Sequence, residues 1–342
     1  MIRYIQPIKP ENAVGLVSDV YVQIKRDFGR IVEPFTLHSP LPTLLAGVWI
    51  ACRETELVGT VSRRVKEAVA ASVSALNRCS FCVDAHSVML DATGDHAIAA
   101  AIGKARYERI SDSEIRAIVD WALATRSPGS KILRSPPFSL EEAPEIIGTA
   151  VFYHYINRMA TIFLSGTPLP SNNALLKDPL KRVAGLMFQK SVRRAKTPGE
   201  SLGFLPPAEL PEDMGWARGN PIVAQAFARF ARANQDLGET LLSREARAFI
   251  FDAVEGWSGE EMRTRSRIEA QIGQFRDAEK GAVLLALLAA LAPHQIFEKD
   301  ILDFRKCFPY VTSLLGTAAW ASFLAAKKIG SWIQFPASVS WD

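Results

Sequence analysis

Apolar residues recur at three- and four-residue intervals almost everywhere along the chain, and strand-like alternation is scarce. The pattern predicts an all-α fold, with helices over 12–28, 40–56 (after a Ser39 cap), 62–77, 79–93, 96–106, 111–126 and 141–164 joined by short loops. In the third of these, Val65, Val69, Val73 and Leu76 form one stripe. Gly94 is placed to end the fourth. Ser111-x-x-Glu114 has the spacing of a capping box, and Pro144 falls in a first turn, where proline is tolerated.

The rhythm changes after 165. Residues 166–219 hold one amphipathic helix, over 179–194, and then the Pro/Gly-rich stretch TPGESLGFLPPAELPEDMGWARGNP, which reads as a linker arm. The expected organisation is a redox domain over 1–165, the helix and arm over 166–219, and a degenerate helical repeat over 220–342. The repeat rests on a few identities. Pro40, Ser62 and Arg63 recur as Pro221, Ser243 and Arg244 at a constant offset of 181, and Gly148-Thr149-Ala150 recurs as Gly316-Thr317-Ala318 at an offset of 168. Asp112 and Glu114 recur as Asp277 and Glu279 at an offset of 165. Continued at 181, the offset sets Ala248, Glu260, Arg263 and Arg267 opposite Glu67, Cys79, Cys82 and His86, so the second copy carries no thiol chemistry.

Composition narrows the class of protein. The 342 residues are 48% apolar and carry a net charge of +4, which suits a folded globular chain. The basic residues are dispersed. Even the densest stretch, Lys190 to Lys196, reads as a solvated helix end, so no nucleic-acid partner is expected. The N-terminus lacks the apolar core of a signal peptide, and the most hydrophobic run, 281–292, is shorter than the roughly 20 residues of a membrane span. No membrane association is expected, and the location expected is cytoplasmic. In a reducing compartment, the one CxxC among four cysteines suggests chemistry or metal binding rather than a structural staple.

On a helix, Cys79, Cys82 and His86 lie within about 60° of one another and share a face. Asp84, Ser87 and Asp91 are then expected to face water. Cysteines one turn apart have Cα atoms about 5–6 Å apart, which permits a disulfide. At a helix start, unpaired N–H groups and the positive dipole end favour the thiolate, and His86 can accept a proton or stabilise the anion. Glu67 lies on a helix with no charged residue from Ala68 to Asn77, so its carboxylate is expected to be partly buried and raised in pKa. The competing reading is an exposed carboxylate paired with Arg63 or Lys66. For zinc, the CxxC and His86 supply three of four ligands, with Cys52 or His96 as a fourth, and no second CxxC exists.

Glu67, eleven further residues, and then Cys79-Ser-Phe-Cys82 with His86 make the segment SRRVKEAVAASVSALNRCSFCVDAHSVMLDATG resemble the alkylhydroperoxidase AhpD-like members of the carboxymuconolactone decarboxylase superfamily. The resemblance covers about residues 40–165, including YHYINRMA (Tyr153 to Ala160), which is similar to the family's closing helix, and fades beyond 220. It implies an all-α AhpD-like bundle, a homo-oligomer, and a peroxide substrate reduced through the cysteine pair without a cofactor. Carried over by position, Cys82 is the peroxidatic cysteine, Cys79 the resolving one, and Glu67 with His86 the proton relay. A dithiol or lipoyl-type protein reductant is the implied partner. One position departs: a second histidine often lies between the cysteines in the best-studied branch, and here the residue is Phe81.

The same residues admit other activities. A disulfide oxidoreductase would share the site and differ in partner. A decarboxylase-like lyase on this fold would need no thiols, and a zinc-bound or thiol-sensing module would need no turnover.

Overall fold

The computed structural model describes residues 1–169, 174–260 and 265–333, with the backbone alone for 174–179. Its architecture is all-α. The first half holds α1 (Gly15–Phe28), α2 (Pro42–Cys52), α3 (Arg63–Leu76), α4 (Ser80–Thr93), α5 (His96–Gly103), α6 (Ser113–Ala124) and α7 (Ala143–Phe163). Next come α8 (Ala174–Arg193) and two 3-10 turns, Glu200–Phe204 and Glu212–Ala217. The remainder is α9 (Pro221–Leu241), α10 (Arg244–Glu255), α11 (Arg265–Gln271), α12 (Asp277–Leu291), α13 (Glu298–Cys307) and α14 (Val311–Ser331).

Local chemistry sets the helix ends that matter for the site. Ser62 caps α3 by accepting the Val65 N–H at 3.3 Å. Cys79 is itself the N-cap of α4, its sulfur accepting the Cys82 N–H at 3.4 Å. Gly94 ends that helix at φ 101°, a left-handed conformation that glycine adopts without strain. Two expected caps differ. Ser39 receives the Ile8 N–H instead of capping α2, whose N-cap is Leu41. Asp112, not Ser111, caps α6, because its carboxylate reaches the Ile115 N–H at 3.0 Å.

Helices α7 and α14 lie side by side in the middle of one continuous apolar core. On the first-half side α3 packs against α4, α6 and α7; on the other, α14 packs against α9 and α12, and α9 crosses α2. The apolar run 281–292 is the buried face of α12. Of the positions matched in the sequence, some fall on like places and others do not: Pro40 lies in the turn before α2 whereas Pro221 opens α9, and Asp112 is the N-cap of α6 whereas Asp277 lies within the first turn of α12. Ser62 and Ser243 each cap a helix with the side chain, and α7 and α14 each run 21 residues. Of the positions set opposite the dithiol, Arg263 lies outside the described residues.

One expectation fails on the outer face of α4. Helix α8 packs along it, so Asp84, Ser87 and Asp91 are buried rather than solvated. Gly185 permits the approach: a Cβ there would lie 3.0 Å from the Asp91 Cβ and 3.2 Å from the α4 backbone. Lys181 reaches in to pair with Asp84 at 3.0 Å, and Asp91 holds His96.

Candidate active site

Four segments meet at the site. Helix α3 brings Arg63 and Glu67, α4 brings Cys79, Cys82 and His86, and α7 brings Tyr153. The fourth is a single π-helical turn, Arg53–Leu57, that continues α2 and carries Glu56. Such turns insert an extra residue and redirect side chains, and they concentrate at functional sites.

Cys79 and Cys82 are joined as a disulfide, with Cα atoms 5.3 Å apart. Both are buried, at 3% and 4% exposure, but they are not equivalent. Cys82 lines a cavity of about 160 Å³ that Cys79 does not reach. Phe81, Met89, Phe152, Met187 and Phe188 give this cavity apolar walls, and His86 and Cys52 also face it. The position that departs from the family pattern, Phe81, is therefore part of the cavity wall.

His86 and Glu67, nineteen residues apart in sequence, come together at 2.8 Å between Nδ1 and Oε2. Glu67 is fully buried. Its titration runs opposite to expectation. Burial alone would push the carboxyl up, but Arg63, at 2.8 Å through Nε, together with His86 brings it down to about 2. Each competing reading of Glu67 held one half of the answer: the carboxylate is buried, and it is paired with Arg63. Lys66 is committed elsewhere, to Glu145 and to the Val58 carbonyl. Glu145 in turn takes the Thr60 and Val61 N–H groups, which fixes the loop leading into α3.

Arg63 is joined by Glu56 and Tyr153 in a ring whose last two members the sequence does not single out as site residues. The Tyr153 ring packs edge-on to His86 with centroids 4.5 Å apart, and its hydroxyl donates to Glu56 at 2.6 Å. Arg63 donates to Glu56 at 3.1 Å as well as to Glu67. The Cys52 thiol donates to Glu56 at 3.3 Å, and burial with that carboxyl beside it pushes the thiol well up. Burial raises Glu56 too, and the neighbouring Glu67 adds to this against the pull of Arg63. The charged run Arg53-Glu54-Thr55-Glu56 after an apolar helix looks like a solvated end. The one signal available was Tyr153, within the segment similar to the family's closing helix.

Glu56, Glu67 and His86 bring potential ligand atoms within 4.8 Å of one another. The Arg63 guanidinium already contacts both carboxylates, which supplies the positive charge a cation would bring. The two cysteines of the zinc reading are bonded to each other, and His96 is engaged by Asp91. No single helix among the described residues is long and apolar enough to cross a membrane.

No family model matches the chain. A relative is found in the alkyl hydroperoxide reductase Rv2159c of Mycobacterium tuberculosis, 38% identical over 333 residues that span 97% of this chain and 95% of the relative. An identity of this level over nearly the whole of both lengths places the present chain in one family with that Mycobacterium tuberculosis alkyl hydroperoxide reductase.

Proposed function

We propose that the chain is a thiol-dependent peroxidase of the AhpD-like branch, cycling Cys79 and Cys82 between dithiol and disulfide. The observation that carries this reading is the asymmetry of the pair: Cys82 lines the cavity beside His86, and Cys79 does not. The name of the Mycobacterium tuberculosis relative supports the same activity.

In this reading, His86 takes the Cys82 proton at Nε2 while Glu67 holds its Nδ1–H. The Cys82 thiolate attacks the distal oxygen of the hydroperoxide, and the O–O bond breaks. Sulfur keeps the hydroxyl as a sulfenic acid, and the leaving alkoxide takes the proton from His86. The Cys79 thiol then attacks the Cys82 sulfur, forming the S–S bond and releasing water. A dithiol reductant restores both thiols by exchange and leaves as a disulfide. Because the pair is buried and reached through a small cavity, the reductant is read as a dithiol on a slender arm, of lipoyl type. Residues 220–342 are read as a degenerate repeat without a site of its own.

The test is hydroperoxide consumption with a dithiol donor. Wild type should turn over cumene hydroperoxide, and Cys82→Ser should not. Equal rates for wild type and Cys82→Ser would refute the reading. Turnover of protein disulfides with none of peroxide would favour the oxidoreductase alternative.

A further inference from the structure

One guanidinium serves two buried carboxylates in this ring. Arg63 donates to Glu67 at 2.8 Å and to Glu56 at 3.1 Å, and both acids are at most 1% exposed. The groups facing Glu56 are Cys52 from α2, Arg63 and Glu67 from α3, His86 from α4 and Tyr153 from α7. The Tyr153 hydroxyl and the Cys52 thiol are neutral donors, and His86 Nδ1, 4.0 Å from Glu56, is already bonded to Glu67. Two buried carboxylates beside one fixed cation cannot both ionise without leaving an uncompensated charge. Glu67 has the stronger claim to be the anion, because it alone receives both Arg63 and the His86 N–H at hydrogen-bond distance.

We propose that Glu56 is a further positioning residue of the peroxide step. It stays protonated in the working enzyme, hydrogen-bonds Glu67, and reserves the ionised state for the carboxylate that holds His86; its deprotonation switches the step off. This inference rests on the peroxidase reading above. Its physical basis is the charge that the step develops. Negative charge passes from the Cys82 sulfur to the departing alkoxide, and a second unpaired anion beside His86 opposes it. The directions of titration agree: burial and Glu67 raise Glu56, whereas Arg63 and His86 bring Glu67 down.

The inference predicts an alkaline limb in the rate of reaction of the reduced enzyme with cumene hydroperoxide, falling about tenfold per pH unit, as one ionisation requires. Glu56→Gln is isosteric with the protonated acid. It should remove this limb. Tyr153→Phe removes a donor that favours the ionised form of Glu56, so the limb should move to higher pH. A limb unchanged in Glu56→Gln, one that stays put or moves down in Tyr153→Phe, or a wild-type profile without a limb would each overturn the inference. If circular dichroism shows Glu56→Gln unfolded, Tyr153→Phe decides alone. Failure of the underlying reading looks different: wild type leaves the hydroperoxide intact, or Cys82→Ser consumes it.

Discussion

His86 Nδ1 lies 2.8 Å from Glu67 Oε2, joining α4 to α3 inside the protein. An ionised carboxylate can only accept, so Nδ1 donates and Nε2 is left for the cavity side. Replacing Glu67 by Gln keeps the shape but lets the amide present its N–H to the ring, which favours the wrong tautomer. The peroxide step should slow by about 10²-fold or more, within the range for general acid–base groups. Stopped-flow single turnovers of the reduced protein measure this, and an unchanged rate would remove Glu67 from the relay.

Arg63 holds the two acids together, and its side chain is 13% exposed. Arg63→Leu leaves a buried carboxylate without its cation, which typically costs about 3–5 kcal/mol. Urea denaturation should show the midpoint falling with little change in slope. Glu67→Gln combined with Arg63→Leu should recover part of the loss, because the unpaired charge is then gone.

Acid should destabilise the fold in two windows. Glu67 has its pKa depressed from 4.5 to about 2 by Arg63 and His86 against the opposing effect of burial. Its contribution is complete above pH 4.5 and is lost as pH falls toward 2. His38 is buried and bonded to the Pro34 carbonyl and the Tyr155 hydroxyl, and burial holds its pKa down, from 6.5 to about 3. The unfolded chain therefore binds a proton that the fold does not, and stability declines as pH drops below 6.5. Denaturation at a series of pH values checks both: Glu67→Gln should flatten the lower window, and His38→Asn should lessen the upper, which His154, also buried and held well below its ordinary pKa, shares.

The seam between α4 and α8 covers the outer face of the helix that carries the dithiol. Gly185→Val adds carbon where the Asp91 Cβ and the α4 backbone leave no room. It should cost about 1–3 kcal/mol as overpacking. After reduction, Cys82 should also react faster with a bulky maleimide, because Met187 and Phe188 of α8 wall the cavity. Thermal melts and labelling rates provide the check.

The all-α class and most helix positions are legible in the sequence, because helical periodicity and end signals are local. Gly94 and Ser62 act where their residue types suggest. Spacing on α4 also gave Cys79, Cys82 and His86 one neighbourhood. What was not legible came from contacts between distant segments. Glu56 meets Tyr153 across 97 residues, through a π-helical turn whose charged sequence resembles a solvated end. The pKa of Glu67 runs opposite to the sequence expectation because the uncharged stretch after it reports burial alone, whereas the Arg63 and His86 contacts depend on how the helices pack. Asp84, Ser87 and Asp91 are buried against the sequence expectation because periodicity reports one helix at a time and does not show α8 packed on their face.

The most direct test of the dithiol account is intact mass and peptide mapping of the reduced protein before and after one equivalent of cumene hydroperoxide. The account predicts a loss of two hydrogens confined to a Cys79–Cys82 peptide, absent in Cys82→Ser and preserved in Cys52→Ser and Cys307→Ser. A disulfide or oxidised sulfur formed at Cys52 or Cys307 while Cys79 and Cys82 stay reduced would contradict it.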